Sequence, residues 1–315
     1  MEKQKIAIID LGTNTFHLLI VEVDSQQQSR VVHRERRPVM IGKGGINQGI
    51  IVEAAQLRAL AALEYFRSKI DSLGVENVVA TATSAFRNAK NGEYLAQRIY
   101  QTTGISIDII SGDTEAEYIF YGVKEAMKLQ HGVSMIMDIG GGSVEFIICN
   151  EEHVLWKQSF EIGAQRLMDR FIIEDPISSK NVQELQSYFS EQLDSLNEAV
   201  AIYQPDTLVG ASGTFDTLSD IYVIHENICV TPNASELPLT YEFYLNLHHD
   251  LSSKNRQERL IIQGMAEMRV DMIVVASWLI YYILEKYQIR NIRVSAFALK
   301  EGLLRSVTNQ LIANQ

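Results

Sequence analysis

Among 315 residues the chain has two cysteines, five prolines and no surplus of positive charge, and each shortage removes a class of protein. Cys149 and Cys229 stand in apolar surroundings without metal-ligand spacing. They give no disulfide framework and suit a reducing cytoplasm. With so few prolines, and no low-complexity or Ser/Gly-rich tract, nothing marks a flexible linker. A net charge of −11 argues against a nucleic-acid partner, which would call for a basic face. It leaves room for a phosphate-rich small ligand, because salt screens distant charge over roughly 8–10 Å. Inside a cleft, a metal ion and a few arginines decide the field; Arg34, Arg36, Arg37 and Arg87 are the ones to note. Long apolar runs are also missing. Met272 to Leu284 is the longest, contains Ser277, and falls short of the about 20 residues a bilayer needs. It reads as a buried helix or as a subunit interface, the latter implying a homodimer; no membrane partner is expected. Met1 to Lys5 lead into an apolar run that Asp10 interrupts, so no signal-peptide core is present.

What the chain does have is an echo. Ile8-Ile9-Asp10-Leu11-Gly12-Thr13-Asn14-Thr15 and Met137-Asp138-Ile139-Gly140-Gly141-Gly142-Ser143 each end an apolar run with aspartate, turn through glycine, and enter a second apolar run. Asp10 matches Asp138, Gly12 matches Gly140 and Thr15 matches Ser143, all at an offset of 128 residues. A second pair, Ala82-Thr83-Ser84-Ala85-Phe86 and Ala211-Ser212-Gly213-Thr214-Phe215, recurs at an offset of 129. Two matches at nearly one offset indicate an internal duplication. The alternative is that two α/β domains offer strand-turn-strand lookalikes anyway.

Strand patterns cover Lys5–Leu11, Phe16–Val23, Val31–Ile41, Asn77–Thr83 and Ser106–Ile110. Helical spacing runs through Glu53–Ile70 (Leu57, Leu60, Leu63, Phe66, Ile70), Gly92–Thr103 and Glu115–Lys128. The second half repeats the theme. Strands are expected at Ser134–Asp138, Val144–Cys149, His153–Ile162, Thr207–Gly210 and Arg293–Ser295. A long helix is expected over Val182–Ile202, with helices through much of Tyr241–Tyr287 and a closing helix. The expectation is an α/β fold of two related domains with mixed sheets sharing a cleft. The domains are residues 1–128 and 129–315, crossing near Gln130-His131-Gly132, and the last helix, near 299–315, packs back on the first.

The turns Gly12-Thr13-Asn14-Thr15 and Gly140-Gly141-Gly142-Ser143 can expose backbone N–H groups as anion nests. Equally, they could be tight hairpin turns. Asp10 and Asp138 end apolar strands, where a carboxylate is costly unless a cation offsets its desolvation. Magnesium or another divalent ion would do so; otherwise each aspartate caps its own turn. Glu145 stands where the first copy has His17, which suggests metal contact or help with water in the second domain alone. Glu115 opens a helix, where an acidic residue is common for dipole reasons worth about 0.3–1 kcal/mol; from a strand end it would also aim at the cleft. His248-His249-Asp250 lacks the partners of a metal phosphohydrolase set and reads as a polar helix face. Arg269 and Asp271 read as surface or interdomain charges, and Trp278, Tyr281 and Tyr282 as core or interface.

These motifs together resemble the exopolyphosphatase/guanosine pentaphosphate phosphohydrolase (Ppx/GppA) family. The resemblance rests on Asp10 to Thr15, Ser111-Gly-Asp-Thr-Glu-Ala116, Asp138-Ile-Gly-Gly-Gly-Ser-Val-Glu145 and Ala211-Ser-Gly-Thr214, in order across nearly the whole chain. It implies an actin-like, ribonuclease-H-like duplicated fold and divalent-metal hydrolysis of a terminal phosphoanhydride. The substrate would be inorganic polyphosphate or guanosine pentaphosphate. By resemblance Glu115 is the catalytic glutamate, and Asp138 and Glu145 are acidic metal and catalytic positions; Asp10 joins them as a metal candidate from its strand-end burial alone. Gly12 to Thr15, Gly140 to Ser143, Ser212, Gly213 and Thr214 are phosphate loops, and Arg87 is a phosphate-contacting arginine. Departures are Thr114 for a glutamate, Glu117 for an arginine and Lys300-Glu301-Gly302 for Arg-Glu-Gly. A chain that stops at 315 lacks the C-terminal helices of longer members, which argues against processive action on very long polyphosphate. Two rival readings remain: a superfamily kinase with an acceptor other than water, and a non-catalytic sensor of polyphosphate or alarmone.

Overall fold

In the computed structural model, residues 4–24, 29–129, 132–171 and 173–313 are described. The crossing expected near Gln130-His131 lies outside them. In the first half, β1 (Gln4–Leu11) and β2 (Thr15–Val23) are Ile/Leu/Val runs buried on both faces. The polar β3 (Ser29–Pro38) forms the exposed edge, ending short of the expected Ile41. Helix α1 (Glu53–Ser72) follows, burying Ala55, Ala59, Leu63, Phe66 and Ile70 at helical spacing. Leu57, expected on that stripe, is 53% exposed, because Ala55 and Ala59 take the core-facing positions of the first turns while Leu60 and Leu63 stay buried. Then come β4 (Asn77–Ala82), α2 (Ser84–Arg87), α3 (Gly92–Thr103), β5 (Ile107–Ile109) and α4 (Gly112–Ala126).

The second half runs β6 (Ser134–Ile139), β7 (Val144–Cys149), β8 (Val154–Phe160), α5 (Ala164–Arg170), α6 (Ser179–Gln192), α7 (Asp194–Tyr203), β9 (Thr207–Ala211) and α8 (Ser212–His225). It continues through β10 (Glu236–Leu237), α9 (Tyr241–Ser253), α10 (Arg256–Leu260), α11 (Met272–Tyr287), β11 (Asn291–Ser295) and α12 (Leu299–Ala313). The single helix expected over 182–202 is two. Leu193 leaves helical geometry at φ −105°, ψ 24°, and the break lets Leu185, Phe189, Leu193, Leu196 and Ala199 all stay in the core.

The two sheets carry the duplication. Strand order is β3-β2-β1-β4-β5 in the first and β10-β11-β9-β6-β7-β8 in the second. In each, three strands form an antiparallel meander, a fourth joins the first of them in parallel, and a fifth joins the fourth in parallel. The short antiparallel β10 is the one addition. The parallel joins need helical crossovers, which is why the order is neither all-hairpin nor all-crossover.

The helices that end each half change places. α4 buries Ala116, Ile119, Phe120 and Val123 against Ile136, Ile147 and Val209 of the second sheet. α12 sends Leu303 into Ile6, Ile8, Leu19 and Val21 of the first. They cross at two glycines: a Cβ on Gly122 would collide with the Ala298 carbonyl, and one on Gly302 with the Tyr118 carbonyl. The exchange clamps the cleft-bearing ends of the sheets together. α11 is the filled centre of the second domain, with Ile273, Val275, Leu279, Ile280 and Ile283 at 0–1% exposure. Among the described residues no helix is long and apolar enough to cross a membrane.

Candidate active site

Asp10 and Asp138 close the central strands of the two sheets at equivalent places. Asp10 pairs across the strands with His17, and Asp138 with Glu145. Both turns and all four of these side chains line one interdomain cleft, together with Glu115 from the first turn of α4. Ser111 caps that helix by accepting from the Thr114 N–H at 3.1 Å, which fixes where Glu115 emerges. Thr114 is spent on this cap, also meeting the Ser111 hydroxyl at 2.9 Å. Glu117 faces away and pairs with Lys157 at 2.9 Å.

The turns need glycine for close approach. None of Gly12, Gly140, Gly141 or Gly142 has a positive φ. A Cβ on Gly142 would stand 2.6 Å from Ser84 Oγ and 2.7 Å from Thr13 Oγ1, and one on Gly141 would strike the Asn14 amide. The two turns therefore touch across the domain boundary. Asn14 spans it again, donating to Met272 Sδ at 3.0 Å.

Burial sets the electrostatics. Desolvation pushes the Asp10 carboxyl up to about 7, with the nearby Lys300 pulling back. It pushes Asp138 up to about 6 and Glu145 up to about 8, and neighbouring acids add repulsion. Glu115 is raised well above the usual range by burial and by Glu145, against the opposing pull of Arg87. Hydroxyls steady two of them: Ser159 Oγ donates to Glu145 Oε1 at 2.6 Å, and Ser212 bonds Asp138. His17 is held down at about 3, by burial first and then by Lys300, Arg269 and Arg36, so it is neutral.

Several buried oxygens have no protein partner: Asp10 Oδ1, Asn14 Oδ1, Thr15 Oγ1 and Thr81 Oγ1. Thr81 is the residue beside Asp10 on the neighbouring strand. Unsatisfied buried acceptors are rare in native proteins and call for a ligand. Among the described residues no three Asp, Glu, His or Cys side chains come together as a preformed metal cage. Magnesium does not require one; it keeps several waters and leans on one or two carboxylates plus substrate phosphates. The all-oxygen donor set fits such an ion.

Not every expected residue faces the cleft. Ser212 does, held at φ 73°, a strained value for a residue other than glycine. Gly213 lies beneath the Arg269 guanidinium, and Thr214 is 2% exposed on α8, outside the lining. Arg87 donates from Nη1 to Glu115 Oε2 at 2.9 Å and to the Ile110 carbonyl at 3.0 Å, at the margin of the cleft. Of the two readings of Arg269, surface or interdomain charge, the second holds: it lines the cleft and faces Asp216 and Asp138. His248 corrects the polar-face reading. It is buried, shares a hydrogen bond with Ser277 Oγ at 2.8 Å and stacks on Tyr281 at 4.5 Å. Cys229 is exposed rather than apolar-packed. Thr83 lines the cleft too; as the counterpart of Ser212 in the second echo, it was open to detection by the duplication.

The geometry defines a class: a duplicated two-domain α/β protein with an acidic cleft walled by two glycine turns. The chain belongs to the Ppx/GppA phosphatase family, whose model matches residues 19–311. It is 43% identical to an exopolyphosphatase from Cytophaga hutchinsonii, whose crystal structure superimposes with a TM-score of 0.94 over 98% of each chain. It is 26% identical over 309 residues to a guanosine-5'-triphosphate,3'-diphosphate pyrophosphatase of Pseudoalteromonas atlantica, covering 98% of this chain and 59% of that one. Exopolyphosphatase 1 of Mycobacterium bovis is 24% identical over 303 residues, covering 95% and 87%. The chain is an enzyme of this phosphatase family, whose named relatives hydrolyse phosphoanhydrides.

Proposed function

We propose that the chain is an exopolyphosphatase, releasing the terminal phosphate of inorganic polyphosphate by in-line attack of water. Guanosine pentaphosphate, which presents the same terminal anhydride, is the second candidate substrate. The observation that carries this reading is the meeting of Glu115, Asp138 and Glu145 with both glycine turns in one buried cleft. The 43% identity to the Cytophaga hutchinsonii exopolyphosphatase supports polyphosphate as the first candidate.

In this reading the backbone N–H groups of Gly12 to Thr15 and Gly141 to Ser143 bind the phosphate oxygens and the unpartnered Thr15 hydroxyl adds to them, while the Gly140 N–H closes its own turn on the Ser143 carbonyl at 3.0 Å. Glu115 has Oε2 committed to Arg87, so its other oxygen takes the proton of the attacking water. Burial and Glu145 raise its affinity for protons while Arg87 opposes them, so it holds a proton taken from water more tightly than an exposed carboxylate would. One or two of Asp10, Asp138 and Glu145, completed by waters and substrate oxygens, would hold magnesium or another divalent cation, which supplies charge neutralisation on the phosphoryl oxygens when bound. Placement and preorganised electrostatics supply most of the rate in such transfers.

The test is phosphate release by the purified chain with magnesium from short polyphosphate, long polyphosphate and guanosine pentaphosphate. Release that Glu115→Gln abolishes supports the hydrolase and ranks its substrates. Tight binding without release would overturn it in favour of a sensor.

A further inference from the structure

Beside the cleft, one carboxylate bridges the two domains. Glu161, just past β8, accepts from Ser84 Oγ at 2.6 Å and from Arg87 Nη2 at 3.4 Å, both in the first domain. From its own domain it accepts from Arg166 Nη2 at 2.7 Å. Arg166 is fixed in turn, donating to the carbonyls of Gly142 at 2.9 Å and Ile46 at 3.3 Å. A guanidinium from each domain and a hydroxyl make a donor set suited to a phosphate oxyanion. The site adjoins the cleft: Ser84 Oγ packs on Gly142, and Arg87 reaches Glu115 with its other nitrogen. The side chain of Glu161 is 38% exposed while those of Arg87 and Arg166 are 18% and 12%. The anion is thus the part that can leave, and the cations are the part that is built in.

We propose that Glu161 is a specificity-determining internal anion, occupying a seat that one phosphate of a bound oligophosphate takes over. Displacing Glu161 frees Arg87 and Arg166 for that phosphate and undoes a latch between the domains. A single phosphate held by the glycine turns leaves Glu161 in place. A chain long enough to reach the seat must compete with it, so Glu161 weakens oligophosphate binding selectively. The inference rests on the proposed polyphosphate site only for the identity of the anion.

The experiment is calorimetric titration of the full chain, with magnesium, using tripolyphosphate and orthophosphate as probes. Glu161→Gln keeps the shape and removes the charge; Glu191→Gln removes one charge from the exposed face of α6 as a control. Glu161→Gln should bind tripolyphosphate about tenfold more tightly, the scale of one charge-assisted hydrogen bond, with orthophosphate unchanged. The hydrolytic gain should fall on KM. Arg166→Gln should weaken tripolyphosphate about tenfold, which reads the seat even if the first variant folds poorly. Equal or weaker tripolyphosphate binding by Glu161→Gln would overturn the proposal, as would the same gain in Glu191→Gln or an equal gain for orthophosphate. If no anhydride is hydrolysed but the Glu161 effect holds, the hydrolase reading fails and the seat stands. Hydrolysis without the Glu161 effect leaves the hydrolase standing and removes the seat.

Discussion

Gly122 and Gly302 face one another where α4 crosses α12, and a Cβ on Gly302 would lie 2.9 Å from the Gly122 nitrogen and closer still to the Tyr118 carbonyl. The contact is backbone on backbone, so no side chain can swing aside to make room. It joins the helix that covers the second sheet to the helix that covers the first.

Gly302→Ala therefore tests the clamp. In an open helix interior the change would stabilise by about 1 kcal/mol. Here overpacking should dominate, with a net loss of about 1–3 kcal/mol. Urea unfolding would show this as a lower midpoint at an unchanged slope. A midpoint that rises would mean that the helices are not held in this contact.

Glu115→Gln should lower kcat by about 10²–10⁴-fold while tripolyphosphate still binds, as expected on removing a general base. Arg87→Gln makes a separate point. Arg87 favours the ionised form of Glu115 through charge and a hydrogen bond. Losing it raises the proton affinity of Glu115 further, so the acid limb of the pH–rate profile should move to higher pH. The limb reports the coupled acids together, not Glu115 alone. An acid limb that stays in place would detach Arg87 from the control of Glu115.

The duplication was legible because it is written twice in local pattern: aspartate, glycine turn and apolar run recur at one offset, and the sheets repeat in the same order. The same offset pointed to Thr83 through Ser212, although only the second copy drew attention. Arg269 had no such signal. It stands between a turn and an apolar helix, and only the fold brings it over Gly213 and Asp138. The exchange of α4 and α12 was half visible, since the last helix was expected to pack back, whereas the reciprocal move of α4 leaves no trace in helical spacing. His248 misled for a related reason. Neighbouring His249 and Asp250 make its segment look polar, while Tyr244, Ser277 and Tyr281 enclose it from other turns.

His248 gives an acid-side stability prediction. Burial holds its imidazole down at about 4, against an ordinary value of 6.5. The folded protein keeps it neutral while the unfolded chain takes a proton below 6.5. Its stabilising contribution is thus complete above pH 6.5 and is lost as pH falls toward 4, a loss of up to about 3 kcal/mol. His248→Phe should flatten the stability profile in that window, even if the unpaired Ser277 hydroxyl lowers stability throughout. Parallel profiles for wild type and variant between pH 4 and 6.5 would contradict this.

Asp10 gives the opposite slope and a test of the cation. Its carboxyl is raised from 3.8 to about 7, chiefly by burial, and Oδ1 has no partner. With the folded form holding its proton more tightly, the contribution is complete below pH 3.8 and is lost as pH rises through 7. In metal-free protein at pH 8, Asp10→Asn should therefore raise the melting temperature. Magnesium acts in the other direction, because a cation that binds only the folded state stabilises it by mass action. It should raise the melting temperature of wild type more at pH 8 than at pH 5.5, and do much less for Asp10→Asn. A magnesium shift that survives Asp10→Asn in full would place the cation elsewhere. A metal-free variant no more stable than wild type at pH 8 would show that the buried charge is already compensated by Lys300.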